Sequence, residues 1–96
     1  MKTIKKVPYE LGVLPDTLPE AKDMVPGKFY FSEKFQASSH LCPCGCGDNV
    51  FLPIGKDDWE LERHGTTFSI SPSILKRLGC KSHYVIKKGV ASILEK

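Results

Sequence analysis

No apolar run in this 96-residue chain approaches the ~18 to 20 residues that a bilayer-crossing helix needs, which excludes a helical membrane span. Nor does an apolar stretch follow the basic start MKTIKKVPYE, so the pattern of a secretory signal is missing and a cytoplasmic location is the expectation. There is no internal repeat and no low-complexity tract, which sets aside fibrous and disordered classes. A His-Glu-x-x-His pattern is absent, and with it the usual helix-borne catalytic zinc. Strong charge of one sign is lacking too. The net charge of +3 is mild for a nucleic-acid binder, and the aromatics are not interleaved with the basic residues, which disfavours a zinc-ribbon nucleic-acid module. Tryptophan occurs once, and Trp59 reads as a core plug rather than a stacking platform.

What is present fits one small globular domain: 41% hydrophobic and 26% charged residues, close to globular averages. A chain this short buries a modest fraction of its surface and often relies on a disulfide or a metal to stay folded. Four cysteines supply the means. Charge is unevenly spread. Lys76, Arg77, Lys81, Lys87, Lys88 and Lys96 load the C-terminal quarter, and Asp48, Asp57, Asp58, Glu60 and Glu62 the middle, which reads either as two solvated faces or as steering of an acidic partner.

Residues 1–27 carry Pro8, Pro15, Pro19 and Pro26, a density that forbids a long helix. This segment is expected to run extended over the core, anchored by Val7, Tyr9, Leu11, Val13, Leu14 and Leu18, with residues 28–96 forming the zinc-binding, β-rich domain. Strands are predicted from Lys28 after the Pro26-Gly27 turn, over Ala37–Leu41, and over Val50–Ile54 up to the turn Gly55-Lys56-Asp57-Asp58. Trp59–Arg63 and Thr66–Ile70, joined at His64-Gly65, read as a hairpin. So do His83–Lys87 and Val90–Leu94 around Lys88-Gly89. Ser71-Pro72-Ser73, followed by Ile74, Leu75 and Leu78 and then Gly79, carries helix start and stop signals and predicts two turns over 72–78. The expected class is α+β: a β-rich, zinc-stapled single domain with one short helix.

Cys42, Cys44 and Cys46 alternate in Leu-Cys-Pro-Cys-Gly-Cys-Gly, and Cys80 lies far along the chain in Cys-Lys-Ser-His. Residues two apart in a straight strand stand ~6.5 to 7 Å apart, too far for three sulfurs to share one ion, so this loop must curl. Pro43, Gly45 and Gly47 permit the curl, glycine because it accepts positive φ. Disulfides are disfavoured where thiols are kept reduced, and iron-sulfur ligation has no other support. A structural zinc is the favoured reading, held by Cys42, Cys44, Cys46 and Cys80, with His83 competing for one place because Cys80 and His83 make a Cys-x-x-His. If four thiolates hold the metal, His83 is available as a base for Ser73, whose backbone would lie in a helix first turn where N–H groups favour developing negative charge. On the residues alone the plainer reading is the favoured one: Ser71 as an N-cap, Ser73 as a first-turn residue, and His83 as a ligand or a surface histidine. His40 is read first as a half-exposed strand histidine, with an alternative base or an outer partner of the metal site as the other readings, His64 as solvent-facing, and Asp57-Asp58 as turn chemistry rather than catalytic carboxylates.

His40-Leu41-Cys42-Pro43-Cys44-Gly45-Cys46-Gly47, then Trp59, Ser71-Pro72-Ser73-Ile74 and Cys80-Lys81-Ser82-His83-Tyr84, together resemble a small bacterial domain family found in operons for ubiquitin-like conjugation. The resemblance spans roughly residues 26 to 91. It implies a zinc-bearing domain in a ubiquitin-like pathway, whose partners are a ubiquitin-like protein or its conjugates and the conjugating enzymes of the same operon. It further implies a serine-type peptidase, with Ser73 as nucleophile and His83 as general base. The competing expectation is a noncatalytic module that recruits a modifier or conjugating enzyme through its β surface and basic end.

Overall fold

The computed structural model describes residues 3–55, 57–75 and 82–94. Nine strands follow in chain order: β1 (Thr3–Pro8), β2 (Glu10–Leu14), β3 (Lys28–Ser32), β4 (Ala37–Leu41), β5 (Asn49–Pro53), β6 (Glu60–His64), β7 (Thr67–Leu75), β8 (His83–Lys87) and β9 (Val90–Leu94). They form a five-stranded sheet in the order β1-β9-β8-β7-β6 and a four-stranded sheet in the order β2-β3-β4-β5. Every pairing is antiparallel except β2 with β3.

The α+β expectation is overturned: the fold is nearly all β. Residues 72–75 of the expected helix are the end of β7, residues 76–78 lie outside the described residues, and the only helical piece described is a 3-10 turn at Ala21–Asp23. Local signals lost to cross-strand pairing. Ile74 pairs with Tyr84 and Leu75 with His83 in a strand rich in β-branched and aromatic residues, and such partners outweigh a helix-start signal worth about 1 kcal/mol. Pro72 is accommodated because the ladder is interrupted there, at a position where a backbone donor is not required.

The two sheets enclose one core. Phe68 and Ile70 of β7, Tyr84 and Ile86 of β8, and Ala91 and Ile93 of β9 point inward at alternate positions. They meet Phe29, Val50 and Leu52 from the smaller sheet. The outer face of β3 and β4 is covered as well, by residues 16–25. There Ser32 Oγ donates to the Asp16 carbonyl, Val25 N–H donates to the Tyr30 hydroxyl at 2.9 Å, and Met24 packs at Ser39. This explains why Phe29, Tyr30, Phe31 and Ser32 are all buried, with no alternation between a covered and an open face.

The proline-bearing N-terminal segment is extended, as its composition requires, and it contributes a strand to each sheet. Tyr9 is the corner between them: its N–H donates to the Gly89 carbonyl at 2.6 Å on the large sheet, and the next amide, Glu10, donates to Gly27 at 2.8 Å beside the small one. The Lys88-Gly89 hairpin turn has φ of 49° and 75°, the left-handed pair that matches strand twist, and Gly89 N–H continues the chain of bonds to Phe68 at 2.7 Å.

Candidate active site and cysteine cluster

β7 does not pair regularly with β8. Ile70 stands opposite Ile86 and Ile74 opposite Tyr84, so four steps along β7 match two along β8, and Ser71-Pro72-Ser73 bulges opposite Val85. Bulges re-aim side chains and are common beside active sites. Ile74 and Tyr84 still face the core, while Ser73, Leu75 and His83 are left on the accessible side of the sheet. There His83 Nε2 lies 3.0 Å from Ser73 Oγ. The two residues singled out in the sequence thus meet within hydrogen-bond reach, across two strands rather than at a helix start. The expected oxyanion donors of a helix first turn do not exist at residues 72–75, because those residues are extended. Among the described residues no carboxylate forms an ion pair with His83.

A second serine–histidine contact shows what the first is not. His64 Nε2 lies 3.2 Å from Ser69 Oγ, but the same nitrogen faces Glu62 Oε1 at 3.5 Å, so the carboxylate cannot orient the ring from its opposite edge. Ser69 Oγ also accepts the Lys88 N–H at 3.0 Å, a turn-fixing role. His64 is on the surface, as its turn position suggested.

The cysteine loop curls as expected. Gly45 and Gly47 have φ of 89° and 87°, Gly45 N–H donates to the Cys42 carbonyl at 3.1 Å, and Cys42 N–H reaches back to Asp48 at 2.8 Å. Cys42, Cys44 and Cys46 bring their sulfurs within 4.8 Å of one another, with Cys42 and Cys44 at 3.4 Å. Tetrahedral zinc at ~2.3 Å from each thiolate sets its sulfurs about 3.8 Å apart, so this donor set fits a metal ion. The expected fourth ligand, Cys80, lies outside the described residues, as do Lys76, Arg77 and Lys81 of the basic cluster. His83 is not among the residues grouped with these sulfurs.

His40 departs from the half-exposed position expected of it. It is fully buried, stacked on Phe29 at 4.9 Å between ring centroids and met edge-on by Tyr9 and Tyr84. Its Nε2 is 2.7 Å from the Tyr84 hydroxyl, and its Nδ1 is buried with no hydrogen-bond partner. Burial pulls its pKa down to about 3, so the ring is neutral at physiological pH. It is a core residue, not a base poised for Ser73. Only the register, which sets it opposite Phe29 on one side and Val50 on the other, reveals this. Trp59 packs against the core as foreseen, its Nε1 buried without a partner. Beside it, Asp57, Asp58, Trp59 and Pro72 line a depression of about 180 Å³ next to the bulge.

A family model described as "Bacterial ubiquitination-like system serine protease (BubE)" matches residues 14–94, a span that takes in the cysteine loop, the bulge and His83. No curated protein and no solved structure matches the chain. Among the described residues no helix is long and apolar enough to cross a membrane.

Proposed function

The chain belongs to the bacterial ubiquitination-like system serine protease family, and on that premise we propose that it cleaves a ubiquitin-like protein from its precursor tail or its conjugates, using Ser73 and His83. The observation that carries this reading is the 3.0 Å contact between Ser73 Oγ and His83 Nε2 on an accessible bulge. In the cleavage, His83 Nε2 accepts the Ser73 hydroxyl proton as Oγ attacks the carbonyl carbon at the end of the modifier. The tetrahedral adduct collapses, the leaving group takes the proton from His83, and the modifier remains as an ester on Ser73. Water, deprotonated by His83, then hydrolyses the ester, releasing a carboxylate and restoring the serine.

Cys42, Cys44 and Cys46, joined by Cys80, would hold a zinc ion that contributes folding free energy. The chemistry of cleavage is left to the serine and histidine. Partners are the modifier, its conjugates and the conjugating enzymes of the pathway.

The test is cleavage of a modifier precursor by Ser73→Ala and His83→Ala. Each should lose on the order of 10⁴-fold or more, the double variant should lose no more than either, and melting temperature and metal content should stay near the parent's. A fluorophosphonate should label the parent at Ser73. Activity that survives Ser73→Ala would instead mark the chain as a noncatalytic recruiting module.

A further inference from the structure

β6 and β7 are unequal partners. β6 begins at Glu60, opposite Ser71, and the chain before it turns away: Trp59 N–H donates to the Pro53 carbonyl at 3.2 Å and Trp59 accepts Gly55 N–H at 2.9 Å. β7 runs on to Leu75, held on its other side by β8 through Ile74 with Tyr84 and Leu75 with His83. Within Pro72–Leu75, Ile74 and Leu75 are paired with β8 on one side, Pro72 and Ser73 bulge from that ladder, and among the described residues no strand lies along the other side. A strand edge of this kind offers backbone N–H and C=O groups to any extended chain that reaches it. This edge carries Ser73 itself.

The line that β6 would follow if it continued leads past the depression walled by Asp57, Asp58, Trp59 and Pro72. Both carboxylates are exposed, and among the described residues neither is in an ion pair. The Trp59 side chain supplies an apolar wall between them and the core. On the accessible side, Leu75 leaves 54% of its surface bare two residues beyond Ser73, an unusual exposure for a leucine in a paired strand.

Resting on the Ser73–His83 peptidase reading, we propose that the substrate's tail binds as an added strand along Pro72–Leu75, in line with β6. One basic side chain, lysine or arginine, enters the depression against Asp57 and Asp58. Strand pairing delivers the scissile end to the bulge without reading sequence. The acidic depression then selects tails with a cation at one fixed distance from the scissile bond. Leu75 gives an apolar neighbour to the tail on the open face.

The experiment is a positional scan with hexapeptide coumarin amides, measuring kcat and KM for the full chain and for Asp57→Asn, Asp58→Asn and the double variant. Asparagine keeps the turn-forming side-chain shape, so folding should survive, and melting curves verify it. Lysine and arginine should be preferred at one position by about three- to tenfold in kcat/KM, the scale of exposed charge pairs. The double variant should abolish that preference through KM, leaving kcat within about twofold, and salt should weaken it in the parent alone. N-methylation of alternate peptide amides should raise KM about tenfold, the intervening amides being indifferent. A parent that cleaves without a basic preference, or a preference that survives in the double variant, overturns the proposal while leaving the peptidase reading intact. A parent that cleaves no peptide and resists fluorophosphonate at Ser73 overturns both.

Discussion

Tyr84→Phe deletes one oxygen from the centre of the core and leaves the ring in place. That oxygen is 2.7 Å from His40 Nε2, and His40 Nδ1 already lacks a partner, so the substitution strands both nitrogens of a fully buried imidazole. A buried polar group left unsatisfied costs about 1 to 3 kcal/mol. Unfolding entropy near 2.1 cal/mol/K per residue over the 96 residues comes to about 0.2 kcal/mol/K, so the loss should lower Tm by about 5 to 15 °C. Circular dichroism melts of the metal-loaded protein read this directly. A companion cycle with His40→Leu isolates the pair: replacing both partners with apolar groups removes the orphaned nitrogens, so the double variant should be more stable than the sum of the single losses implies. A Tyr84→Phe shift under about 2 °C, or strict additivity in the cycle, would refute the view that this contact secures the core.

Three further outcomes follow from the same architecture. With His40 held near pKa 3 in the fold and near 6.5 when unfolded, the unfolded chain binds a proton the native one does not. Stability is therefore full above about pH 6.5 and falls toward pH 3 by up to ~1.4 kcal/mol per unit, a slope that denaturant titrations should find reduced in His40→Leu. Metal analysis of protein purified without chelator should find one zinc per chain. Cys44→Ser or a strong chelator should remove it and unfold most of the domain, since structural zinc contributes on the order of 10 kcal/mol and total stabilities run ~5 to 15; a melt that ignores the chelator refutes this. Gly89→Ala places a Cβ 3.2 Å from the Tyr9 carbonyl at a φ of +75°, and chemical denaturation should register a loss of about 1 to 3 kcal/mol.

The strands were largely legible because two local codes agreed. β-branched and aromatic residues marked β8 and β9 as strands, and Lys88-Gly89 marked the hairpin between them. Ala37–Leu41 likewise came out with the bounds it has in the fold. The helix misreading arose where the codes disagreed: Ser71-Pro72-Ser73 has the chemistry of a helix start, yet it serves as a bulge because β8 supplies partners that no local window contains. Hence Ser73 and His83 could be singled out as a pair while the strands that bring them into contact could not. The division into two sheets was hidden for a related reason, since Tyr9 turns the chain through bonds to Gly89 while Glu10 bonds to Gly27, both remote in sequence. His40 was misplaced because nothing in its immediate neighbours announces Phe29, Tyr9 and Tyr84 around it.

The bulge in β7 also obeys a rule of parity. Four residue steps from Ile70 to Ile74 replace the two that a regular ladder would use, and because a strand's side chains alternate, an even surplus returns the chain to its original phase. Ile74 therefore re-enters the core beneath Tyr84. Removing one residue from 71–73 would reverse that phase, turning Ile74 to solvent and driving Leu75 inward, whereas removing two would restore an unbroken strand with no place for the serine. Length variation here is thus quantised: the segment can lengthen or shorten in pairs at modest cost, and in single residues only by turning the end of the strand inside out.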